Sequence, residues 1–297
     1  MQYRSWLFVP GDCEVKLGKA VSTGADVVIV DLDDGDPGEN RAQARALTLD
    51  WLTVHRTQIT ENRRMARWVK ISPLSSTRFR EDLATAMRGG ADGIVLPDAA
   101  GPPALQQLAA DIYELEQANR IPTGSTRILP LVSGSPLAAM SIGSYLDAPQ
   151  PRLTGLGWTG DSLAAALGAS RQRDAKGFFT DAFRLVRAQL LIAARARGVF
   201  ALDSFPGAAS DEKAIKLAAR EARSDGFTGM FAVHAEQVPL INAAFTQGAE
   251  DDEMRANAPG ESSTVNFASD QPLLLARRRQ SFAAPDGQPR IPILRPA

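Results

Sequence analysis

Eight short apolar runs, separated by longer segments of helical periodicity, constrain this 297-residue chain more than any other feature. Several runs, such as VVIVDL at 27–32 and GIVLP at 93–97, are apolar at consecutive positions instead of alternating with polar residues. Consecutive apolar residues suit strands that are buried on both faces, as in parallel sheets. The eight runs occupy residues 5–10, 27–32, 68–72, 93–97, 128–133, 153–158, 200–203 and 230–234.

The segments between these runs carry the residues that begin and end helices. Pro102 and Pro103 suit a first helical turn, and Gly198 follows a helical pattern that includes Phe183 and Leu190. Eight strands that are each followed by a helix predict an α/β fold, a (β/α)8 TIM barrel. A doubly wound open sheet is the alternative architecture.

The composition changes after Phe245. The segment GAEDDEMRANAPGESS is polar and acidic, and the chain ends in the proline-rich stretch AAPDGQPRIPILRPA. We therefore predict a barrel over residues 1–246 and a C-terminal extension over 247–297. The extension is expected to pack on the barrel or on a neighbouring subunit.

Charge and composition exclude several classes of protein. A formal net charge of −1 offers no basic face, so no nucleic-acid partner is expected. Cys13 is the one cysteine, which rules out a disulfide framework and a thiolate metal site. No apolar segment reaches the length of a membrane span, and the N-terminus lacks a signal-peptide pattern. We expect a cytoplasmic protein that does not associate with membranes.

In a TIM barrel the active site lies at the carboxyl ends of the strands. Carboxylates dominate these positions, and a ring of carboxylates suits a hard cation such as Mg²⁺. The candidate residues that the rule selects are Pro10, Gly11, Asp31, Asp33, Asp34, Lys70, Ser72, Asp98, Ser133, Asp161, Asp203 and His234.

Each candidate also has a structural interpretation. Asp161 could cap the helix that follows it, and Asp98 could pair with Lys70 across adjacent strand ends. His234 could be a hydrogen-bonded histidine at the edge of the core, and Trp158 is interpreted as a wall of the pocket. A Ser-His-Asp triad is disfavoured because the chain has no GxSxG motif.

Motifs along nearly the whole chain resemble the HpcH/HpaI aldolase and citrate lyase β-subunit superfamily, and most closely its CitE-like branch. They keep the order of the family's strands. The motifs are RSWLFVPGD, GADVVIVDLDDG, WVKISPLSS, GADGIVLPD, GLGWTGDSLAAALG, ARARGVFALDSF, GFTGMFAVHAEQVPLINAAFT and SDQPLLLARRR.

The resemblance implies a lyase or aldolase that depends on Mg²⁺ or Mn²⁺ and acts on small acids or their acyl-CoA thioesters. Cleavage leaves an enolate, whose charge a cation stabilises. Asp161 matches a metal ligand, and Asp34 matches the acidic motif after the second strand. Asp270 matches a catalytic aspartate that a neighbouring subunit contributes. The resemblance also implies a homo-oligomer, either a trimer or a hexamer.

This sequence departs from the family pattern at several of these positions. Ser133 stands at the position of the metal-binding glutamate, Lys70 replaces an arginine, and Asp33 replaces a glutamate. Asp98 replaces a lysine and is a possible substitute ligand. We expect Lys70 to hold a substrate carboxylate or an enolate oxygen. The predicted substrate-binding residues are Lys70, Asp33, Ser72, Ser133 and Trp158.

Three functions therefore remain open at the level of sequence. The first is a divergent CitE-like carbon–carbon lyase. The second is a catalytically degenerate barrel that has lost its metal and serves as a ligand-binding or complex-forming subunit. The third is an enzyme with altered, metal-independent chemistry.

Overall fold

The computed structural model describes residues 3–33, 40–56, 59–60, 63–204 and 211–256. Its central sheet contains eight parallel strands in the spatial order β5-β4-β3-β2-β1-β8-β7-β6. Parallel bridges Ile128–Leu153 and Leu131–Gly157 join β5 to β6 and close the sheet. The predicted TIM barrel is confirmed. The strands are β1 (Ser5–Pro10), β2 (Val27–Asp31), β3 (Ala66–Lys70), β4 (Gly93–Leu96), β5 (Arg127–Pro130), β6 (Gly155–Gly157), β7 (Phe200–Asp203) and β8 (Gly229–Ala232).

Helices surround the barrel at the predicted positions, with differences at their ends. The sequence reasoning missed the short helix Pro136–Met140. It also missed an antiparallel pair of two-residue strands, Ile59–Thr60 and Arg63–Arg64. The helices are α1 (Glu14–Ala20), α2 (Arg41–Val54), α3 (Phe79–Gly89), α4 (Pro102–Ala118), α5 (Pro136–Met140), α6 (Gly160–Leu167), α7 (Asp181–Arg197), α8 (Glu212–Asp225) and α9 (Gln237–Ala256).

Large aromatic side chains fill the barrel interior where other strands carry glycine. A Cβ atom on Gly93 would lie 2.6 Å from the Trp68 ring, and one on Gly157 would lie 2.7 Å from the Phe231 ring. These distances are too short for any side chain, so the two glycines make room for the aromatic rings. The interior is therefore a packed core with no open channel.

The C-terminal boundary of the barrel remains a prediction. Helix α9 continues through the predicted boundary at residue 246 and ends at Ala256. Residues 257–297, which include Asp270, lie outside the described residues. None of the helices in the described ranges has the length and hydropathy of a membrane span.

A buried ion pair fastens α4 to the segment that leads into β6. The guanidinium of Arg152 donates to both oxygens of Glu116, at 2.7 Å each, and Glu116 is fully buried. The backbone N–H groups of Gly124 and Thr126 donate to the same carboxylate. Burial opposes ionisation, but Arg152 and the two amides outweigh it and lower the pKa of Glu116 to about 2.

We predict that Glu116→Gln lowers the free energy of unfolding by about 3–5 kcal/mol at pH 7, because it leaves Arg152 buried without its counterion. The pKa of Glu116 is lower in the folded chain than the ordinary 4.5. Its stabilisation is therefore complete above that value and is lost as the pH falls towards 2. Urea unfolding from pH 7 to pH 2 should show a weaker pH dependence for the variant. Exposed Glu114→Gln is the control, and equal slopes for Glu116→Gln and the wild type would contradict the assignment.

Candidate functional site

Asp31, Lys70 and Asp33 form an ion-paired cluster at the carboxyl ends of the strands, which we call the barrel mouth. The Nζ atom of Lys70 lies 3.0 Å from Asp31 Oδ2 and 3.5 Å from Asp33 Oδ2. Asp31 Oδ1 accepts a hydrogen bond of 2.8 Å from the backbone N–H of Asp33. Two carboxylates thus flank one ammonium group.

The register of β2 and β3 explains this cluster. Asp31 and Lys70 are paired across the two strands. Ile29 and Trp68, two residues earlier on each strand, belong to the interior apolar cluster. Because side chains alternate along a strand, Asp31 and Lys70 point to the same side as these two residues. They are therefore the charged layer above the apolar interior.

Burial makes Asp33 the titratable group of this cluster. Burial raises the pKa of the Asp33 carboxyl, the charge of Lys70 opposes this shift, and the Asp31 carboxylate adds to it. The resulting pKa is above the ordinary value of an aspartate. Asp33 consequently accepts a proton more readily than an exposed aspartate does.

Ser72 lies just beyond β3 and is 1% exposed. Its hydroxyl donates to Asp82 Oδ2 at 2.7 Å, and its backbone N–H donates to the same oxygen at 3.1 Å. Arg45 donates to the other oxygen of Asp82 at 2.8 Å. Ser72, predicted to bind substrate, is thus linked by Asp82 to α2 and α3.

Arg41 is a residue of the barrel mouth that the sequence reasoning missed. Its Nη1 atom donates to the backbone oxygen of Leu32 at 2.7 Å and to Ser72 Oγ at 3.4 Å. Arg41 is the first residue of α2, where a positive charge opposes the helix dipole. A cation at this unfavourable position directly after an acidic motif is the sequence signal that could have identified it.

Ser133 uses its hydroxyl to join the ends of β5 and β6. The hydroxyl donates to the backbone oxygen of Thr159 at 3.1 Å and accepts from the backbone N–H of Thr159 at 2.9 Å. Ser133 is fully buried. The single proton of the hydroxyl and one of its two lone pairs are both used by the backbone of Thr159.

Asp161 lies in the first turn of α6 and is exposed. Its Oδ1 atom accepts a hydrogen bond of 2.5 Å from Gln172 Nε2, which places Gln172 beside a predicted metal ligand. The structure shows no side-chain cap on α6 at its N-cap residue, Thr159. Asp161 is therefore not the N-cap of α6, and its described hydrogen-bond partner is Gln172.

Asp98 follows β4 and has a left-handed backbone, with φ 49. Its backbone and Cβ approach Gly134 so closely that a Cβ there would lie 2.9 Å from the Asp98 Cα. The structure shows no ion pair of Asp98 with Lys70, whose described ion pairs are with Asp31 and Asp33. Asp98 is exposed and remains a predicted ligand only.

Trp158 is fully buried, and its indole N–H donates to Asp203 Oδ1 at 2.8 Å. Arg187 on α7 donates to Asp203 Oδ2 at 2.7 Å. Burial raises the pKa of Asp203, and the contacts with Arg187 and Trp158 oppose this shift. These three residues tie β6, β7 and α7 together beneath the mouth. The predicted role of Trp158 as a pocket wall stays a prediction.

The described donors do not fit the Mg²⁺ site that the resemblance implies. Mg²⁺ requires oxygen ligands in octahedral geometry, and its sites in proteins usually include one or two carboxylates. Ser133 is committed to Thr159, and no cluster of three or more metal-ligating side chains occurs among the described residues. Asp34 and Asp270 lie outside the described residues. Asp161 and Asp98 are the predicted ligands with an exposed carboxylate among the described residues.

A sequence model described as HpcH/HpaI aldolase/citrate lyase matches residues 4–235. The chain belongs to this family. It is similar to a (3S)-malyl-CoA thioesterase of Cereibacter sphaeroides, with 28% identity over 82% of this chain and 77% of that protein. It is also similar to a citrate lyase subunit beta-like protein of Mycobacterium tuberculosis, with 29% identity over 81% of this chain and 78% of that protein.

A solved structure extends the similarity to the fold of this family. The structure of CitE from Mycobacterium tuberculosis in complex with magnesium, acetoacetate and coenzyme A matches with a TM-score of 0.65 and 26% identity. The match covers 92% of this chain and 94% of that chain. The predicted superfamily and its CitE-like branch are thereby confirmed.

We predict that Asp33→Asn stabilises the fold at neutral pH. The pKa of Asp33 is raised by folding, so the ionised carboxylate costs stability at and above the raised pKa. The gain from asparagine should be absent near pH 3, where the carboxyl is protonated in both states, and should grow as the pH rises to 7. Urea unfolding across this range measures it. Exposed Asp50→Asn is the control, and a loss of stability at pH 7 would contradict the prediction.

We predict that Ser133→Ala lowers the free energy of unfolding by about 1–3 kcal/mol, because it removes a partner from two buried backbone groups. Affinity for Mg²⁺, measured by calorimetry, should equal that of the wild type since the hydroxyl serves the backbone. Exposed Ser22→Ala is the stability control. A tenfold loss of cation affinity in Ser133→Ala would show that the hydroxyl is a ligand.

Proposed function

We propose that this chain is a CitE-like carbon–carbon lyase. It cleaves or forms a bond in a small hydroxy- or oxo-acid, or in its acyl-CoA thioester, by way of an enolate. The observation that carries the proposal is the Asp31–Lys70–Asp33 cluster, which places an ammonium group and a proton-accepting carboxyl together at the barrel mouth.

The chemistry of a retro-aldol cleavage needs two kinds of group. A base takes the proton of the substrate hydroxyl, the carbon–carbon bond breaks, and its electron pair passes to the enolate, which is then protonated. Lys70 supplies a positive charge for the enolate oxygen or the substrate carboxylate. Asp33 has the raised pKa expected of a proton carrier. Asp34 and Asp270 are further proposed acid–base groups.

The proposal assigns no step to Mg²⁺, because the described donors do not form its site. Lys70 is not a full replacement for arginine, since an ammonium group lacks the planar fork that binds both oxygens of a carboxylate. The mouth therefore requires positive charge from a second source if the substrate carries a carboxylate in addition to the enolate.

The thioester and the assembly are also proposals. A solved relative contains coenzyme A, which supports an acyl-CoA substrate. We propose a cytoplasmic homo-oligomer, a trimer or hexamer, in which Asp270 reaches a neighbouring subunit. Apolar side chains on α5 and α7 support an interface, since Leu137 is 68% exposed, Met140 75% and Ile192 68%.

A degenerate barrel that binds ligand without cleaving it is the second candidate. Ser133 supports it, because the position of the metal-binding glutamate in the resembled family carries a hydroxyl that is committed to Thr159. Such a barrel would bind a small acid at the mouth and release it unchanged.

We predict that the chain cleaves malyl-CoA or citramalyl-CoA. Lys70→Met should lower kcat at least ~100-fold, since removal of one group that stabilises a developing oxyanion lowers the rate by about this factor. Product formation is measured by coupled assay in the presence of Mg²⁺. Lys70→Arg should retain more activity than Lys70→Met because it keeps the charge.

Arg88→Met is the matched control, since it removes a positive charge from the exposed last turn of α3, outside the mouth. It should leave kcat unchanged. Absence of turnover in the wild type, together with tight binding of a 2-oxo acid, would reject the lyase and favour the degenerate barrel. Equal kcat in Lys70→Met and the wild type would reject the role of Lys70.

A further inference from the structure

The two positively charged side chains at the barrel mouth, Lys70 and Arg41, differ in their contacts with carboxylates. Lys70 has carboxylate oxygens of Asp31 and Asp33 at 3.0 and 3.5 Å, so its charge is offset within the protein. Arg41 forms no ion pair within the described part of the chain, and its two hydrogen bonds go to the uncharged oxygens of Leu32 and Ser72. Among the described residues, Arg41 is therefore the cation of the mouth whose hydrogen bonds all go to uncharged oxygens.

The guanidinium of Arg41 is also incompletely hydrogen-bonded. Its Nε atom is buried and has no hydrogen-bond partner among the described residues. Both of its described hydrogen bonds use Nη1, which leaves Nε and Nη2 as one edge of the planar fork. A buried donor without a partner costs free energy unless a ligand satisfies it. One edge of an arginine fork matches the two oxygens of a carboxylate.

The position of Arg41 in α2 adds to this argument. The N-cap residue Asn40 makes no side-chain cap, and the first turn of α2 contains no acidic residue. The guanidinium thus adds its positive charge to the positive end of the helix dipole. This arrangement opposes folding of the helix and favours an external anion at the same place.

Neighbouring contacts hold the guanidinium in position. Its first acceptor, the backbone oxygen of Leu32, directly follows β2. Its second acceptor, Ser72, donates a hydrogen bond to Asp82. Arg45, one turn further along α2, donates to the same Asp82 carboxylate. Arg41 also lies near enough to Asp33 to act on its ionisation. The guanidinium is therefore anchored between the ends of β2 and β3, beside the Asp31–Lys70–Asp33 cluster.

We infer that Arg41 is the specificity-determining residue that binds the carboxylate of the substrate at the barrel mouth, through the edge formed by Nε and Nη2. This inference rests on the proposed function for the class of ligand, a small 2-oxo or hydroxy acid. It divides the work between two cations: Arg41 binds the carboxylate, and Lys70 faces the oxygen on which the enolate charge develops.

Calorimetric titration with pyruvate and with pyruvamide, its uncharged analogue, tests the inference without requiring turnover. The wild type should bind pyruvate more tightly than pyruvamide. Arg41→Gln should weaken pyruvate binding by about 10- to 100-fold, the range for loss of a hydrogen-bonded charge pair. Its affinity for pyruvamide should stay unchanged. The affinity of Arg41→Lys for pyruvate should lie between those of the wild type and Arg41→Gln, because lysine keeps the positive charge but lacks the planar fork of the guanidinium.

Two further variants separate binding from folding. Arg88→Gln removes one positive charge from the last turn of α3 and should bind both ligands like the wild type. Arg80→Gln removes a second exposed positive charge from α3 and should also keep the preference for pyruvate. Thermal unfolding of each variant reports stability. If Arg41→Gln does not fold, the comparison of Arg41→Lys with the wild type decides, and equal preference for pyruvate would overturn the inference.

The outcomes distinguish this inference from the lyase proposal. A preference for pyruvate that persists in folded Arg41→Gln, or a wild type that does not prefer pyruvate, overturns the role of Arg41 whatever the turnover. A preference that depends on Arg41 in a chain without lyase activity supports the inference and rejects the proposed function.

Discussion

The pairing of β2 with β3 is the constraint on which the site depends. In parallel strands of fixed register, Asp31 and Lys70 lie opposite each other and point into the barrel. A shift of one residue would turn both side chains into the apolar layer between strands and helices. On the other side of β3, Trp68 fills the space that Gly93 leaves open on β4, which holds β3 in place in the sheet. Packing below the mouth thus positions the charges above it.

The fold uses several polar groups that a sequence motif would assign to chemistry. Ser133 bonds to both backbone groups of Thr159, and Trp158 donates its indole N–H to Asp203. Each contact joins two neighbouring strand ends and satisfies polar atoms that closure of the barrel has buried. A polar residue at the end of a strand can therefore serve closure of the barrel in this chain.

The two cations of the mouth have different partners within the protein. Lys70 is held by two carboxylates, whereas Arg41 is held by neutral oxygens. A site for an acid that becomes an enolate has to accommodate two negative charges in different places. In this chain one cation lies on the strands and the other lies on the helix that follows the acidic motif. The two groups differ in geometry as well as in position, since the Arg41 guanidinium is a planar fork and the Lys70 ammonium is a compact point charge.

The sequence by itself determined the eight parallel strands, with a closed barrel as the predicted architecture and an open sheet as the alternative. Several of the eight apolar runs, such as VVIVDL, are apolar at consecutive positions, which suits strands buried on both faces, and that pattern is local. It also placed Asp33, Lys70 and Asp161 at strand ends. Only the tertiary structure decided which partners these groups have: Lys70 pairs with Asp31 and Asp33 instead of Asp98, and Arg41 lies beside Ser72. Such contacts join residues that are distant in sequence, and their geometry depends on register and packing, which no local pattern encodes.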